Sequence, residues 1–93
     1  MMSYFLLGVI DIDDDARTAL GRVPLDLIAG HAMHEHGHLT NEEHMANRQG
    51  AMEGGEIISR YRVDPTSKKP KSLNVLIRTH AGWGKTTVAL EHT

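Results

Sequence analysis

The sequence predicts an α+β domain with the order β-α-α-α-β-β-β, in which three short helices pack on a mainly antiparallel sheet. Three observations support this fold class. An apolar run near the N-terminus is typical of a strand, and capping residues and glycines divide residues 13–55 into helical stretches. After residue 56, alternating apolar and polar residues indicate a C-terminal three-stranded meander. Because the chain has 93 residues, we expect residues 1–93 to form a single domain.

The N-terminal residues predict the first strand and the first helix. The run from Tyr4 to Ile12 is apolar at both odd and even positions, which indicates a strand covered on both sides or a subunit contact. Asp13 is the predicted N-cap of a helix from Asp14 to Leu20, because acidic residues in a first turn interact favourably with the helix dipole. Gly21 then ends this helix.

Two further helices are predicted before residue 55. The second begins at Pro24, because proline suits the first position of a helix. Its residues with core-facing spacing are Leu25, Ile28, Ala29 and Ala32. Thr40 and Glu43 fit the pattern of a capping box, which predicts a third helix that extends to Glu53 and stops at two glycines.

Three strands are predicted at residues 56–63, 73–80 and 85–91. A polar loop at residues 64–72 and a glycine-containing turn at residues 81–84 connect them. Apolar and polar residues alternate along these strands, which is typical of a sheet with one covered face. The residues predicted for the core of the whole domain are Leu7, Val9, Leu20, Leu25, Ile28, Ile57, Val75, Ile77, Val88 and Leu90.

The stretch Gly84-Lys85-Thr86 resembles the end of a phosphate-binding P-loop. That motif needs a glycine five residues before Gly84, where this chain has Thr79. It also needs a following helix to hold the phosphates, whereas the residues after Thr86 favour a strand. We therefore interpret the glycines as a hairpin turn and exclude a nucleotide-binding fold.

Five of the seven histidines lie between His31 and His44, and they are candidate metal ligands. Neutral imidazole is a common zinc ligand, and the candidate set comprises His31, His34, His36 and His38. The absence of cysteine excludes a cysteine-type zinc site, and the HExxH metalloprotease pattern is absent. The preferred interpretation is nevertheless an exposed histidine-rich loop next to helix ends, with no cofactor, and the zinc site is the alternative.

The net charge of −2 conceals an uneven charge distribution. Residues 1–56 carry three arginines and ten acidic residues, a sum of −7, whereas residues 57–93 carry seven basic and two acidic residues, a sum of +5. Two charged surfaces are therefore candidates for partner binding, although either could be a solvated face. The candidates are Arg60, Arg62, Arg78 and Lys85 on the basic sheet, Trp83 as an exposed aromatic contact, and Asp14 and Glu43 on the acidic helical side. Lys68, Lys69 and Lys71 add positive charge on the loop of the sheet.

Several short motifs from Leu7 onward occur in the order that is found in one family of small proteins. They are Leu7-Gly8, Ala19-Leu20, the stretch from Pro24 to His31, then Gly37, Glu42, Asn47, Ser59-Arg60-Tyr61-Arg62 and Thr86 to Leu90. On these motifs the chain resembles the plasmid-related proteins of proteobacterial plasmids, prophages and integrated elements. It departs from their pattern at His36, where family members usually carry tryptophan, so the resemblance implies no family-wide metal site.

The resemblance implies a mobile-element setting. Small cytoplasmic proteins from such settings often bind and block host defence complexes, as anti-CRISPR and anti-restriction proteins do. We therefore expect a non-enzymatic phage or mobile-element protein that inhibits or modulates a host protein complex through its charged surfaces, with no membrane segment. The alternatives are a histidine-based metal-binding module and a small nucleic-acid-binding protein, which the acidic balance disfavours. A homodimer is compatible with each of these functions.

Overall fold

The structure is a computed structural model that describes residues 5–64 and 73–91. These residues form three helices and a four-stranded sheet, which confirms the predicted fold class and element order. The elements are β1 (Val9–Ile12), α1 (Asp14–Leu20), α2 (Leu25–Ala32), α3 (Asn41–Glu53), β2 (Ile57–Arg62), β3 (Asn74–Thr79) and β4 (Lys85–Glu91). Tyr4 and the three loop lysines at positions 68, 69 and 71 lie outside the described residues. In the described part of the chain, none of the helices is long and apolar enough to cross a membrane.

The sheet has the strand order β1-β4-β3-β2. β3 pairs antiparallel with both of its neighbours, which confirms the predicted C-terminal meander. β1 pairs parallel with β4, with Val9 opposite Lys85 and Ile12 opposite Val88. A parallel pair needs a long connection, and here the three helices and two strands lie between the paired strands. β1 and β2 are therefore the two edges of the sheet.

The first strand is shorter than predicted, because the backbone leaves the extended conformation at Gly8. This residue has a φ of +65°, a left-handed conformation that glycine adopts without a steric cost. A Cβ atom placed there would lie 2.3 Å from the carbonyl carbon of Gly84, so the chain also passes very close to the β3–β4 turn. The strand therefore begins at Val9, and Phe5 packs against the ring of His31 instead of extending the sheet.

The hydrophobic core lies on one face of the sheet, where Ala16 of α1 and Ile28 of α2 pack against the central strands. Of the predicted core residues, those that are buried or packed around the core are Leu7, Leu20, Ile28, Ile57, Val75, Ile77, Val88 and Leu90. Two core predictions are wrong, because Val9 is 70% exposed on the edge strand and Leu25 is 69% exposed in the first turn of α2. α2 instead buries Ile28 and His31.

The local capping signals correspond to the observed helix ends. Thr40 and Glu43 form the predicted capping box, in which the Glu43 N–H donates to Thr40 Oγ1 at 3.1 Å and the Thr40 N–H donates to Glu43 Oε1 at 2.9 Å. Asp13 caps α1 by accepting from the Asp15 N–H, and Gly21 ends that helix in a left-handed conformation.

The outer edge of β2 is covered by two other parts of the chain. The side-chain amide of Asn47 donates to Ile58 O at 2.7 Å, and the Ile58 N–H donates to Asn47 Oδ1 at 2.8 Å. Further along the strand, the Arg60 N–H donates to His36 O, and the His38 N–H donates to Arg60 O. α3 and the histidine-rich segment (residues 31–44) are thereby fixed along this edge.

Candidate functional site

A series of hydrogen bonds crosses the core beneath the histidine-rich segment. His31 is fully buried, with Nδ1 2.6 Å from Ser59 Oγ and Nε2 2.8 Å from Thr79 Oγ1. Thr79 Oγ1 lies 2.8 Å from Thr86 Oγ1, whose hydroxyl donates to Leu7 O at 2.6 Å. This buried network therefore joins α2, the three strands of the meander and the segment before β1.

The carbonyl oxygen of Leu7 fixes the direction of the hydrogen bonds in the buried network, because a carbonyl oxygen only accepts. Thr86 donates to Leu7, so Thr79 must donate to Thr86. Since each hydroxyl has a single proton, Thr79 accepts from the Nε2–H of His31. The Nδ1 atom of a neutral His31 then accepts from the Ser59 hydroxyl.

His36 extends the buried network towards the surface. Its Nδ1 atom lies 2.6 Å from Ser59 Oγ, and its Nε2 atom lies 3.4 Å from Nδ1 of His34. Because the Ser59 proton is donated to His31, His36 donates through its Nδ1–H and presents the Nε2 lone pair to His34. Phe5 packs edge-on against His31 and His34, with ring centroids 5.2 and 5.3 Å away.

The fold holds both inner histidines in the neutral state. Burial, together with the charges of His36 and His34, lowers the pKa of His31 to about 3. Burial also lowers the pKa of His36 to about 4, with contributions from His34 and His44. The physical cause is that a desolvated imidazolium loses its hydration, and the hydroxyl groups around it do not replace that hydration. The network is therefore uncharged at neutral pH.

The Ser59–His31 contact has the spacing of a nucleophile and a base, but its surroundings do not suit nucleophilic catalysis. Ser59 is fully buried, so a substrate cannot approach its Oγ atom. The other ring nitrogen of His31 donates to Thr79, where a catalytic triad has a carboxylate that stabilises the imidazolium. The low pKa of His31 also makes it a poor proton acceptor near neutral pH. We assign this contact to the stability of the fold.

The four histidines predicted as zinc ligands do not form one ligand cluster. Within residues 5–64 and 73–91, no group of three or more His, Cys, Asp or Glu residues is placed to hold a metal ion. His31 uses both ring nitrogens in hydrogen bonds to buried hydroxyls. His34 and His36 lie together, with ring centroids 5.4 Å apart, whereas His38 is exposed beside the edge of β2. The predicted four-histidine site is therefore wrong, because His31, one of the four ligands that it needs, is hydrogen-bonded to hydroxyl groups in the core.

The outer histidines line a surface groove of about 450 Å³ beside α3. His34, His36 and His44 contribute to its polar side. Met33 and Met52 contribute apolar surface and are 60% and 78% exposed. The groove therefore combines polar imidazole groups and Arg48 with flexible apolar side chains, a surface that adapts readily to different contacts.

Internal ion pairs involve three of the predicted basic residues, Arg60, Arg78 and Lys85, and Arg60 is the clearest case. Its guanidinium donates to Glu43 at 2.6 and 2.8 Å and to Glu91 at 2.6 and 2.9 Å. Hydrogen bonds from Arg60 lower the pKa of Glu43 to about 2, and the hydrogen bonds that Arg60 donates to both carboxylates raise its own pKa. Arg60 and Glu43, which the sequence assigned to two opposite binding surfaces, are therefore partners of each other.

Two more of the predicted basic residues also face carboxylates. Arg78 Nε lies 3.4 Å from Glu56 Oε2, and Lys85 Nζ lies 3.5 Å from Asp11 Oδ2. Arg62 is partly buried on the same sheet face as Arg78. Arg60, Arg62 and Arg78 thus lie on one face of the sheet, but the face carries less free charge than their number implies.

Trp83 is partly buried, and is not the exposed aromatic contact that the sequence predicted. Its indole N–H donates to Gly55 O at 2.8 Å, and its ring lies 6.0 Å from that of Phe5. The neighbouring Gly82 N–H donates to Gly54 O. Trp83 therefore fixes the β3–β4 turn against the end of α3.

Acidic residues remain exposed where β1 leads into α1. Asp11, Asp13, Asp14 and Asp15 are all exposed. Asp14 pairs with Arg17 at 2.6 Å, which neutralises part of this charge. We call residues 11–15 the acidic end of the sheet.

Sequence reasoning missed the residues that complete the buried network and cover the β2 edge. These residues are Ser59, Thr79, Thr86 and Asn47. The available signal was the presence of three hydroxyl residues at strand positions whose alternation places them on the core face.

Comparison with known proteins identifies no relative of this chain: no family model, no curated protein and no solved structure matches it. What the chain binds must therefore be inferred from its own surface.

Proposed function

We propose that this chain is a non-enzymatic binding protein of a phage or other mobile element. It works in the cytoplasm and inhibits or modulates a host defence complex, as anti-CRISPR and anti-restriction proteins do. The resemblance to plasmid-related proteins supports the mobile-element setting. The charge of the exposed surface supports binding to a positively charged partner.

The observation that carries this proposal is the difference between the two charged surfaces. On the sheet, Arg60, Arg78 and Lys85 each face a carboxylate of the same chain, which reduces the positive charge that these three residues offer to a partner. At the acidic end, Asp13 and Asp15 are exposed and take part in no ion pair with the described residues. An acidic surface complements a basic one, such as the surface with which a defence complex binds nucleic acid.

The test is a pull-down from host lysate with the chain immobilised without a histidine tag. Proteins are eluted by raising the salt concentration and identified by mass spectrometry. We expect one large defence or nucleic-acid-processing complex at a stoichiometric level, because charge-dominated contacts weaken with salt. The variant Asp14→Asn with Asp15→Asn should lower its recovery by about tenfold.

A matched control removes the same charge from another surface. Glu42 and Glu53 are exposed on α3, and their replacement by glutamine should leave recovery unchanged. Equal losses in both variants would show an effect of net charge alone. An empty pull-down would contradict the proposed function, and tight, salt-sensitive binding of labelled DNA or RNA would support the nucleic-acid alternative instead.

A further inference from the structure

The two edges of the sheet differ in how their backbone groups are satisfied. At β2, the side chain of Asn47 bonds both backbone groups of Ile58, and residues 36–38 bond both backbone groups of Arg60. Covering an edge in this way prevents it from pairing with another strand. The chain therefore closes one edge of its sheet.

The edge at β1 is open. The Val9 N–H donates to Gly84 O, just before β4, and the Asp13 N–H donates to Val88 O of β4, so the odd-numbered residues face that neighbour. The backbone groups of Ile10 and Ile12 consequently point away from the sheet. Among residues 5–64 and 73–91, no other strand pairs with this side of β1.

Two apolar side chains of β1 are exposed at the open edge. Val9 is 70% exposed and Ile10 is 43% exposed. Natural edge strands are usually protected by charge, proline or a covering segment, and an extended peptide adds readily to an edge without that protection. Asp11 is the one charged residue within β1; it is exposed, and its only ion pair with a described residue is a long, exposed one to Lys85 at 3.5 Å.

We infer that β1 is a docking edge, to which an extended segment of the partner adds as a fifth strand, with apolar residues alternating with Lys or Arg. This inference rests on the proposed function and names the binding mode of the acidic end. Side chains alternate between the two faces of a strand, so Ile10 and Asp11 lie on opposite faces. An apolar residue of the added strand would lie beside Ile10. A cation would lie beside Asp11, whose side chain is 63% exposed and is only weakly paired with Lys85.

A second copy of the chain fits this edge less well. Because only the even-numbered residues of β1 point outward, a symmetric antiparallel pair must centre on Ile10, Asp11 or Ile12. A pair centred on Ile10 places Val9 of the second copy opposite Asp11. A pair centred on Asp11 places Asp11 there, and one centred on Ile12 places Asp13 there. None of these residues is a cation, and like charges opposite each other destabilise a strand pair.

The experiment uses the full chain labelled with ¹⁵N and a capped Val-Lys-Val-Lys-Val peptide as the probe. In the free chain, the Ile10 and Ile12 amides should exchange with solvent much faster than the Val9 and Asp13 amides, which donate to Gly84 O and Val88 O. Saturation with the peptide at about 1 mM should slow the Ile10 and Ile12 amides by about tenfold. A peptide with glutamate in place of lysine is the control, and it should change neither amide.

Ile10→Pro removes the outward N–H at an edge position where proline is tolerated. Ile10→Thr shortens the same side chain but keeps that N–H, and both variants should retain the dispersed spectrum of the folded chain. We expect Ile10→Pro to weaken peptide binding at least about tenfold relative to Ile10→Thr.

Three results would overturn the inference. Slow exchange of Ile10 and Ile12 in the free chain would show that the edge is already covered, and sedimentation as a dimer would identify a second copy as the cover. Undiminished peptide binding by Ile10→Pro would place the peptide elsewhere, and no response to either peptide would exclude strand addition. The pull-down separates this inference from the proposed function. If Ile10→Pro still captures the host complex and Asp14→Asn with Asp15→Asn does not, binding through the acidic surface is supported and only strand addition at β1 is refuted.

Discussion

The Nδ1 atom of His31 lies 2.6 Å from the Oγ atom of Ser59, and both side chains are completely buried. This contact links α2 to β2 in the middle of the core, where an apolar pair would be usual. The contact favours neutral His31, because a buried imidazolium would lose its hydration and the Ser59 hydroxyl donates to the lone pair that protonation would occupy. The core therefore contains a group whose protonation opposes folding.

Stability should fall as the pH is lowered from about 6.5. The pKa of His31 is about 3 in the folded chain and 6.5 as the reference value, so the unfolded chain binds the proton first. Stability is thus fully present above about pH 6.5 and is lost as the pH falls towards 3, by about 1.4 kcal/mol per pH unit for one proton. Urea unfolding at a series of pH values measures this slope, and His31→Gln should lower it by about one proton.

Two comparisons separate this effect from other titrations. His38→Gln replaces an exposed histidine and should keep the slope of the parent chain. Measurements should stay above about pH 5, because the depressed pKa of Glu43 adds its own loss of stability below its reference value of 4.5. A slope that is the same for His31→Gln and the parent would refute the role assigned to His31.

Local signals predicted much of the fold, whereas the burial of His31 had no local signal. The capping box at Thr40 and Glu43 and the alternation in β2 to β4 depend on residues close in sequence. The partners of His31 are Ser59 and Thr79, which lie 28 and 48 residues away. From the sequence alone, a buried histidine on a helix cannot be distinguished from an exposed one, because the hydroxyl groups that bond to it belong to distant strands.

Replacement of Arg60 by alanine should destabilise the chain by about 2–3 kcal/mol. It leaves two carboxylates, Glu43 and Glu91, that are only about one-fifth exposed and face each other without a cation. The control is Arg22→Ala, which removes the pair with Asp26 on the surface and should have no resolvable effect. Urea unfolding measures both, and equal effects would contradict the stabilising role of Arg60.

The same ion pairs explain why the sequence overstated the basic surface. A count of charges along the chain treats Arg60 as one of a group of cations on the sheet, and strand alternation places it correctly on the outer face. The acids that pair with Arg60 are brought to it by the packing of α3 and by the end of β4. Glu43 lies 17 residues before Arg60 in the sequence, and Glu91 lies 31 residues after it. Charge patterning therefore identified the face but not the charge that remains on it.

Replacement of Gly37 by alanine should cost about 3 kcal/mol or more. A Cβ atom at this position would lie 2.1 Å from Arg60 O, where the histidine-rich segment bonds to β2. Gly21→Ala is a matched control, because Gly21 has nearly the same φ of +72° but no atom within 4 Å of its Cβ position. The control should cost about 1 kcal/mol from the backbone conformation alone. Equal losses in urea unfolding would show that the close approach to β2 does not matter.

Replacement of Asn47 by alanine should open the β2 edge and cost about 3 kcal/mol. It leaves the N–H and the carbonyl of Ile58 without their partners, and each unpaired group costs about 1–3 kcal/mol when it is shielded from water. Hydrogen exchange should then report faster exchange of the Ile58 amide, and the exposed edge should make the variant more prone to aggregate. Arg48→Ala changes the next, exposed residue of α3 and should leave this amide protected. If the Ile58 amide stays equally protected in Asn47→Ala, then Asn47 is not what closes this edge, and the contrast with the open edge at β1 loses its basis.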